Sequence, residues 1–99
     1  MKTYTCIVVD DSEVQLVLLK NYVKKAEYLL LDGAFSNPIE AHDYLRKNQV
    51  DILILDIDMP ELSGLELLKL LEKPPQTILI TSKTEFALQA FDLDAVDYI

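Results

Sequence analysis

The stretch that most constrains this chain is Asp51-Ile52-Leu53-Ile54-Leu55-Asp56-Ile57-Asp58-Met59-Pro60. Ile52 to Leu55 are aliphatic at consecutive positions, so both faces of the strand they form are apolar. Such a strand is covered on both sides, as in a parallel sheet with helices above and below it. The run ends at a carboxylate, and Pro60 has no N–H to give to a neighbouring strand. Asp56 therefore falls where the backbone leaves the sheet, at the carboxyl end of a buried strand. That rim is where open α/β sheets bind ligands, so an aspartate there is expected to do chemistry.

The rest of the chain alternates as such a sheet requires. Tyr4 to Val9 reads as a strand around Ile7-Val8-Val9 and ends in Asp10-Asp11. Ser12 with Gln15 three positions on is a capping-box pair that opens a helix from about Glu13 to Lys25. Val14, Val17, Leu18 and Tyr22 share one face and are expected to form its apolar side; Lys20, Lys24 and Lys25 lie toward the end, where cations suit the dipole. Tyr28 to Phe35 reads as a second strand. Asp32-Gly33 has the composition of a hairpin turn, but no second strand follows in register, so the strand is read straight through it. Asn37, Pro38 and Glu40 supply the N-cap, N1 and N3 positions of a second helix ending near Asn48.

Beyond the central strand, Ser63 and Glu66 form another capping box, and a Leu-rich helix from Gly64 to Glu72 stops before Pro74-Pro75. Core packing accounts for most of its leucines. Thr77 to Ile80 is a fourth strand, Thr84 caps a short helix from Glu85 to Phe91, and Ala95 to Ile99 begins a fifth strand. Strands and helices in this alternation imply an α/β fold with a parallel sheet and right-handed crossovers.

Ninety-nine residues, 51% of them hydrophobic, suffice for one small domain with one core. The formal net charge of −8 argues against non-specific binding to nucleic acid or anionic lipid, since no basic surface exists to release counterions. The apolar runs are far too short to span a membrane, and Met1-Lys2-Thr3-Tyr4 is not a signal-peptide pattern. Cys6, the one cysteine, has no internal partner; beside an apolar strand it is expected to be a buried structural thiol, which fits a cytoplasmic address. His42, mid-helix among Ala41, Asp43 and Tyr44, reads as a surface residue without a role.

Polar clusters end three of the strands: Asp10-Asp11, Asp56 with Asp58, and Thr81-Ser82. If those strands are neighbours, the side chains converge on one rim. Carboxylates gathered there raise each other's pKa values unless a hard divalent cation offsets them, and Mg²⁺ suits a few carboxylates plus waters. An aspartate beside Mg²⁺ can attack phosphorus and form an aspartyl phosphate, with the hydroxyl of Thr81 donating to a phosphoryl oxygen.

The residues Val8-Val9-Asp10-Asp11-Ser12, Leu55-Asp56-Ile57-Asp58-Met59-Pro60, Gly64, Ile80-Thr81-Ser82 and Asp97-Tyr98 resemble the CheY-like receiver domain of bacterial two-component response regulators. Thr81 to Ile99, with Glu85-Phe86-Ala87-Leu88-Gln89-Ala90-Phe91 inside it, looks like the subfamily attached to LytTR-type DNA-binding domains. The resemblance covers the whole chain. It implies one flavodoxin-like domain over residues 1–99, a doubly wound five-stranded parallel sheet in strand order 2-1-3-4-5. It implies Asp56 as phospho-acceptor and Mg²⁺ held by Asp10, Asp11, Asp56 and the backbone carbonyl of Asp58, Asp11 directly. Thr81 is then the switch hydroxyl, Tyr98 the aromatic that turns inward on activation, and Asp58 and Lys83 tune the lifetime of the phosphoryl group.

The partners so implied are a sensor histidine kinase or phosphotransfer protein, and a second copy through the face of the fourth helix and fifth strand. The output is transcription, exerted by an attached or partner domain. Neither nucleic acid nor membrane is contacted by this segment, and no enzyme activity is implied beyond the chain's own phosphorylation and dephosphorylation. The family's lysine after the fifth strand, two residues beyond Ile99, and its fifth helix are not among these 99 residues. The chain is thus expected to be a C-terminally incomplete receiver, with the apolar faces of its first and third strands open on one side. Lys83 occupies a different motif position and does not replace that lysine.

Two other classes stand beside this reading. Asp56-Ile57-Asp58 also resembles the nucleophile motif of haloacid-dehalogenase-type phosphatases. That motif sits on a first strand, however, and Pro60 stands where those enzymes carry threonine or valine. The other class is an interaction module that keeps the fold and works without phosphorylation.

Overall fold

The aliphatic runs become parallel strands. The computed structural model describes residues 2–60 and 62–80, together with the backbone of 97 and 98. Five strands, β1 (Tyr4–Val9), β2 (Leu29–Phe35), β3 (Ile52–Asp56), β4 (Gln76–Ile80) and β5 (Asp97–Tyr98), form one sheet in the order β2-β1-β3-β4-β5. Every pairing is parallel. Three described helices connect them: α1 (Glu13–Lys25), α2 (Pro38–Lys47) and α3 (Gly64–Leu70). This is the flavodoxin-like order expected. The expected helix over 85–91 and its cap Thr84 lie outside the described residues.

Capping chemistry sets the helix starts. Asn37 Oδ1 accepts from the N–H groups of Ile39 and Glu40 at 2.8 and 3.4 Å, with Pro38 following as the first helical residue. Ser63 and Glu66 make the full reciprocal box, at 3.1 and 3.2 Å. At Ser12 only half of the expected box forms: its hydroxyl accepts from Gln15 N–H at 3.3 Å. The third helix ends at Leu70, two residues earlier than its leucine content suggests. Leu71 is already extended, and its N–H turns back to the Leu68 carbonyl at 3.2 Å.

Two apolar layers sandwich the sheet. Ile7, Val9, Leu53, Leu55 and Leu79 pack with Ala41 of α2 and with Leu65, Leu67 and Leu68 of α3. On the opposite face Cys6 and Val8 pack with Leu19 and Val23 of α1. Fully burying one such leucine stabilises the fold by about 1.5–3 kcal/mol relative to leaving it in water. Cys6 is a free, fully buried thiol as expected, and burial, with the charge of Asp32, pushes it up to about 11.

The side of α1 that meets the sheet is a correction to the sequence reading. Leu19 and Val23 are buried, with Leu16 packed beside them, whereas Val14 and Tyr22 are 75% and 70% exposed and Val17 and Leu18 also face water. In the central strand Leu53 and Leu55 are fully buried, but Ile52 and Ile54 on the α1 side are only half-buried. Of the two strands expected to lie open on one side, β3 does so in part, while β1 is closed over Cys6 and Val8.

Strand β2 runs through Asp32-Gly33, as expected. Its register against β1 slips there, Cys6 facing Leu31 and Ile7 facing Gly33, so that Asp32 is the extra residue of a bulge. At the amino ends of the strands, Asp51 Oδ2 accepts from Thr5 N–H and Oγ1 at 2.9 and 3.2 Å, and Asp51 N–H donates to Thr5 Oγ1 at 3.0 Å. This clip aligns β1 with β3, and so aligns their far ends.

Candidate functional site

Register brings the acids together. β1 and β3 are hydrogen-bonded neighbours with Val9 opposite Leu55, so the next residue of each, Asp10 and Asp56, leaves the sheet side by side. Asp10 is held by its N–H to the Phe35 carbonyl at 3.0 Å, and its Oδ1 accepts from Ser12 N–H at 2.9 Å. Its rigid position follows: it is 2% exposed, rare for an aspartate unless it is partnered. Asp11, next along, is exposed. One carboxylate oxygen from each of Asp10, Asp11 and Asp56 lies within 4.8 Å of the others.

That proximity has an electrostatic consequence. Burial first, and the charges of Asp10 and Asp11 next, push the Asp56 carboxyl up to about 7 from an ordinary 3.8; the hydrogen bond from Asp58 N–H acts the other way. Asp10 is also raised, chiefly by burial, against the lowering effect of the Ser12 N–H. Three all-oxygen donors that repel one another when ionised form a set that a hard divalent cation relieves, so the residues fit Mg²⁺.

The loop after Asp56 is tied down on both sides. Asp58 N–H donates to Asp56 Oδ1 at 3.1 Å and fixes the carboxylate's rotation. Ile57 N–H reaches across to the Ile80 carbonyl at 3.2 Å, and Met59 N–H turns back to the Ile57 carbonyl at 3.1 Å. Ile57 and Met59 are buried in the core beneath, so the segment is anchored by its alternate side chains.

Of the residues singled out in the sequence, Asp10, Asp11 and Asp56 are thus brought together. Asp58 joins through its backbone; its exposed side chain is not in the three-carboxylate group. Thr81 and Lys83 lie outside the described residues, and Tyr98 is described by its backbone alone, beside Leu79 in β5. Sequence reasoning attached no role to Ile57, whose N–H links the acidic loop to the end of β4; it stands as a lone aliphatic between Asp56 and Asp58, and a main-chain hydrogen bond leaves no mark in side-chain type. A cleft of about 750 Å³ opens elsewhere, at the amino ends of β3 and β4 between the ends of α2 and α3. No group of three metal-ligating side chains is found there among the described residues. None of the described helices is long and apolar enough to cross a membrane.

Comparison with known proteins identifies the family and the fold. The family model "Response regulator receiver domain" matches residues 6–99. Curated relatives include protein-glutamate methylesterase/protein-glutamine glutaminase 3 of Burkholderia thailandensis, 36% identical over 99 residues, covering 94% of this chain and 28% of that protein. Sensory transduction protein LytT of Bacillus anthracis is 34% identical over 96 residues, covering 94% of this chain and 39% of LytT. Transcriptional regulatory protein BtsR of Escherichia coli K12 is 33% identical over 95 residues, covering 94% of this chain and 40% of BtsR. The chain therefore spans well under half the length of these relatives. Among solved structures, the response regulator domain of Thermotoga maritima CheB superposes with a TM-score of 0.90 at 30% identity, over 99% of this chain and 78% of that one.

Proposed function

The chain belongs to the response regulator receiver family, and from that premise we propose that it is a phosphoryl-accepting switch whose acceptor is Asp56. The observation that carries the proposal is the meeting of three carboxylates at the adjoining ends of β1 and β3. An oxygen of the Asp56 carboxylate attacks the phosphorus of a phosphohistidine, the P–N bond breaks, and the imidazole nitrogen keeps the electron pair. Asp58 N–H holds Asp56 Oδ1 during this step, so the carboxylate presents one fixed orientation.

Asp10, Asp11, Asp56 and the Asp58 carbonyl would hold Mg²⁺, with Asp11 bound directly; when bound, the ion neutralises charge on the phosphoryl oxygens. Thr81 is assigned to follow a phosphoryl oxygen. The Ile57–Ile80 hydrogen bond supports that assignment, because it joins the acceptor loop to the residue just before Thr81. Tyr98 is assigned to the switch in β5, and Asp58 and Lys83 to tuning the lifetime of the acyl phosphate. The donor is a sensor histidine kinase or phosphotransfer protein. The output is a change of affinity at the face of the fourth helix and β5, leading to dimerisation and to control of transcription by another domain in the cytoplasm. No turnover of an external substrate belongs to this reading.

The test is incubation with Mg²⁺ and acetyl phosphate, read by intact mass. The chain should gain one phosphoryl group, and Asp56→Asn should gain none while keeping its circular dichroism. Turnover of phosphate esters would mark a phosphatase, and neither gain nor turnover would mark an interaction module; either result overturns the proposal.

A further inference from the structure

Gly64 opens α3, and its N–H donates to the Ile57 carbonyl at 3.0 Å. The direction in which any other residue carries its Cβ is already filled. A Cβ there would collide with the Asp56 carbonyl oxygen and stand 3.0 Å from Ile57 Cα and 3.1 Å from the Asp56 carbonyl carbon. All three are main-chain atoms, so no rotamer change relieves the clash. Gly33, the chain's other glycine, differs in kind: a Cβ on it would meet the ring of Phe35, a side chain that can give way.

The helix behind Gly64 is firmly placed. The Ser63–Glu66 box closes its first turn, and Leu65, Leu67 and Leu68 are embedded in the core. Asp56 in turn is paired with Ile80 in the sheet, and Ile57 is bonded across to the Ile80 carbonyl. We propose that Gly64 is a positioning residue for the acceptor: its missing side chain lets α3 rest on the main chain of Asp56 and Ile57, and that contact sets where the Asp56 carboxylate and the Asp58 carbonyl stand relative to Asp10 and Asp11. A methyl group at position 64 separates the helix from the strand end. The separation displaces the peptide that carries both the acceptor and the next carbonyls along the loop.

This inference rests on Asp56 being the acceptor, and the experiment separates the two. Mg²⁺ titration and acetyl phosphate labelling are run on the unsubstituted chain, on Gly64→Ala and on Leu19→Ala, which loosens the opposite face of the sheet. Gly64→Ala should bind Mg²⁺ about 10- to 100-fold more weakly and label about 100-fold more slowly. Leu19→Ala, although less stable, should keep its Mg²⁺ affinity to within about twofold, because its site is independent.

A second readout needs no variant. With ¹⁵N-glycine the chain shows two amide signals, Gly33 and Gly64; on Mg²⁺ and beryllofluoride addition the Gly64 signal should move and the Gly33 signal should stay. Gly64→Ala that matches the parent in a chain that does bind and label, or a stationary Gly64 signal at saturation, overturns the positioning role alone. A parent chain that neither binds Mg²⁺ nor labels overturns the acceptor assignment and this role with it.

Discussion

Replacing Asp56 by asparagine should stabilise the metal-free fold at alkaline pH. In the unfolded chain this carboxyl loses its proton near 3.8; in the fold it keeps it up to about 7. Between those values the native state binds more protons than the unfolded one, so the contribution is fully present below about pH 4 and is lost as pH rises through about 7. A shift of that size corresponds to about 4 kcal/mol if the site were dry. The carboxyl is half in water, and screening reduces the figure to about 1–2 kcal/mol.

Asparagine has nearly the same shape, still accepts from Asp58 N–H, and carries no charge. Urea unfolding in the presence of a chelator should therefore give equal stabilities at pH 4, and at pH 8 an advantage of about 1–2 kcal/mol for Asp56→Asn. Added Mg²⁺ should stabilise the parent and leave the variant nearly unchanged. A variant that is no more stable at pH 8, or whose advantage grows as the pH falls, would refute the electrostatic account.

Other consequences are simpler to state. On α1, Leu19→Ala should cost about 2–5 kcal/mol, whereas Val14→Ala should stay within about 0.5 kcal/mol; denaturant midpoints of the pair decide which side of the helix is buried. Ser63→Ala removes one half of the α3 capping box and should cost about 0.5–2 kcal/mol by the same assay. Asp11→Asn removes one of the charges that raise Asp56, so carboxyl carbon resonances should show Asp56 titrating below about 7, and Mg²⁺ binding should weaken.

The sheet was legible because its signals are local. Aliphatic runs ending in acids mark strands and their carboxyl ends, and Asn37, Ser63 and the proline pair punctuate the helices in the ways their side chains dictate. The orientation of α1 was not legible. Apolar residues at 14, 17, 18 and 22 and at 16, 19 and 23 both follow a helical period, and only the path of the chain out of β1 decides which stripe lands on the sheet. Periodicity chose the wrong one.

Ile52 and Ile54 pack against the α1 layer yet stay only half-buried, in line with the expectation that β3 lies open on one side. At the site, Asp10, Asp11 and Asp56 announced themselves through residue type and place. Gly64 did so only as one letter of a motif. Its contact is between main-chain atoms eight residues apart, and no hydrophobic pattern reports that.

The most direct test of the central claim is to trap the acyl group chemically. After phosphorylation with Mg²⁺ and acetyl phosphate, borohydride reduces an aspartyl phosphate to homoserine, and peptide mass spectrometry locates the converted residue. Homoserine at position 56, dependent on Mg²⁺, is the expected result. Conversion at Asp10, Asp11 or Asp58, or none at all in a folded chain, would contradict it.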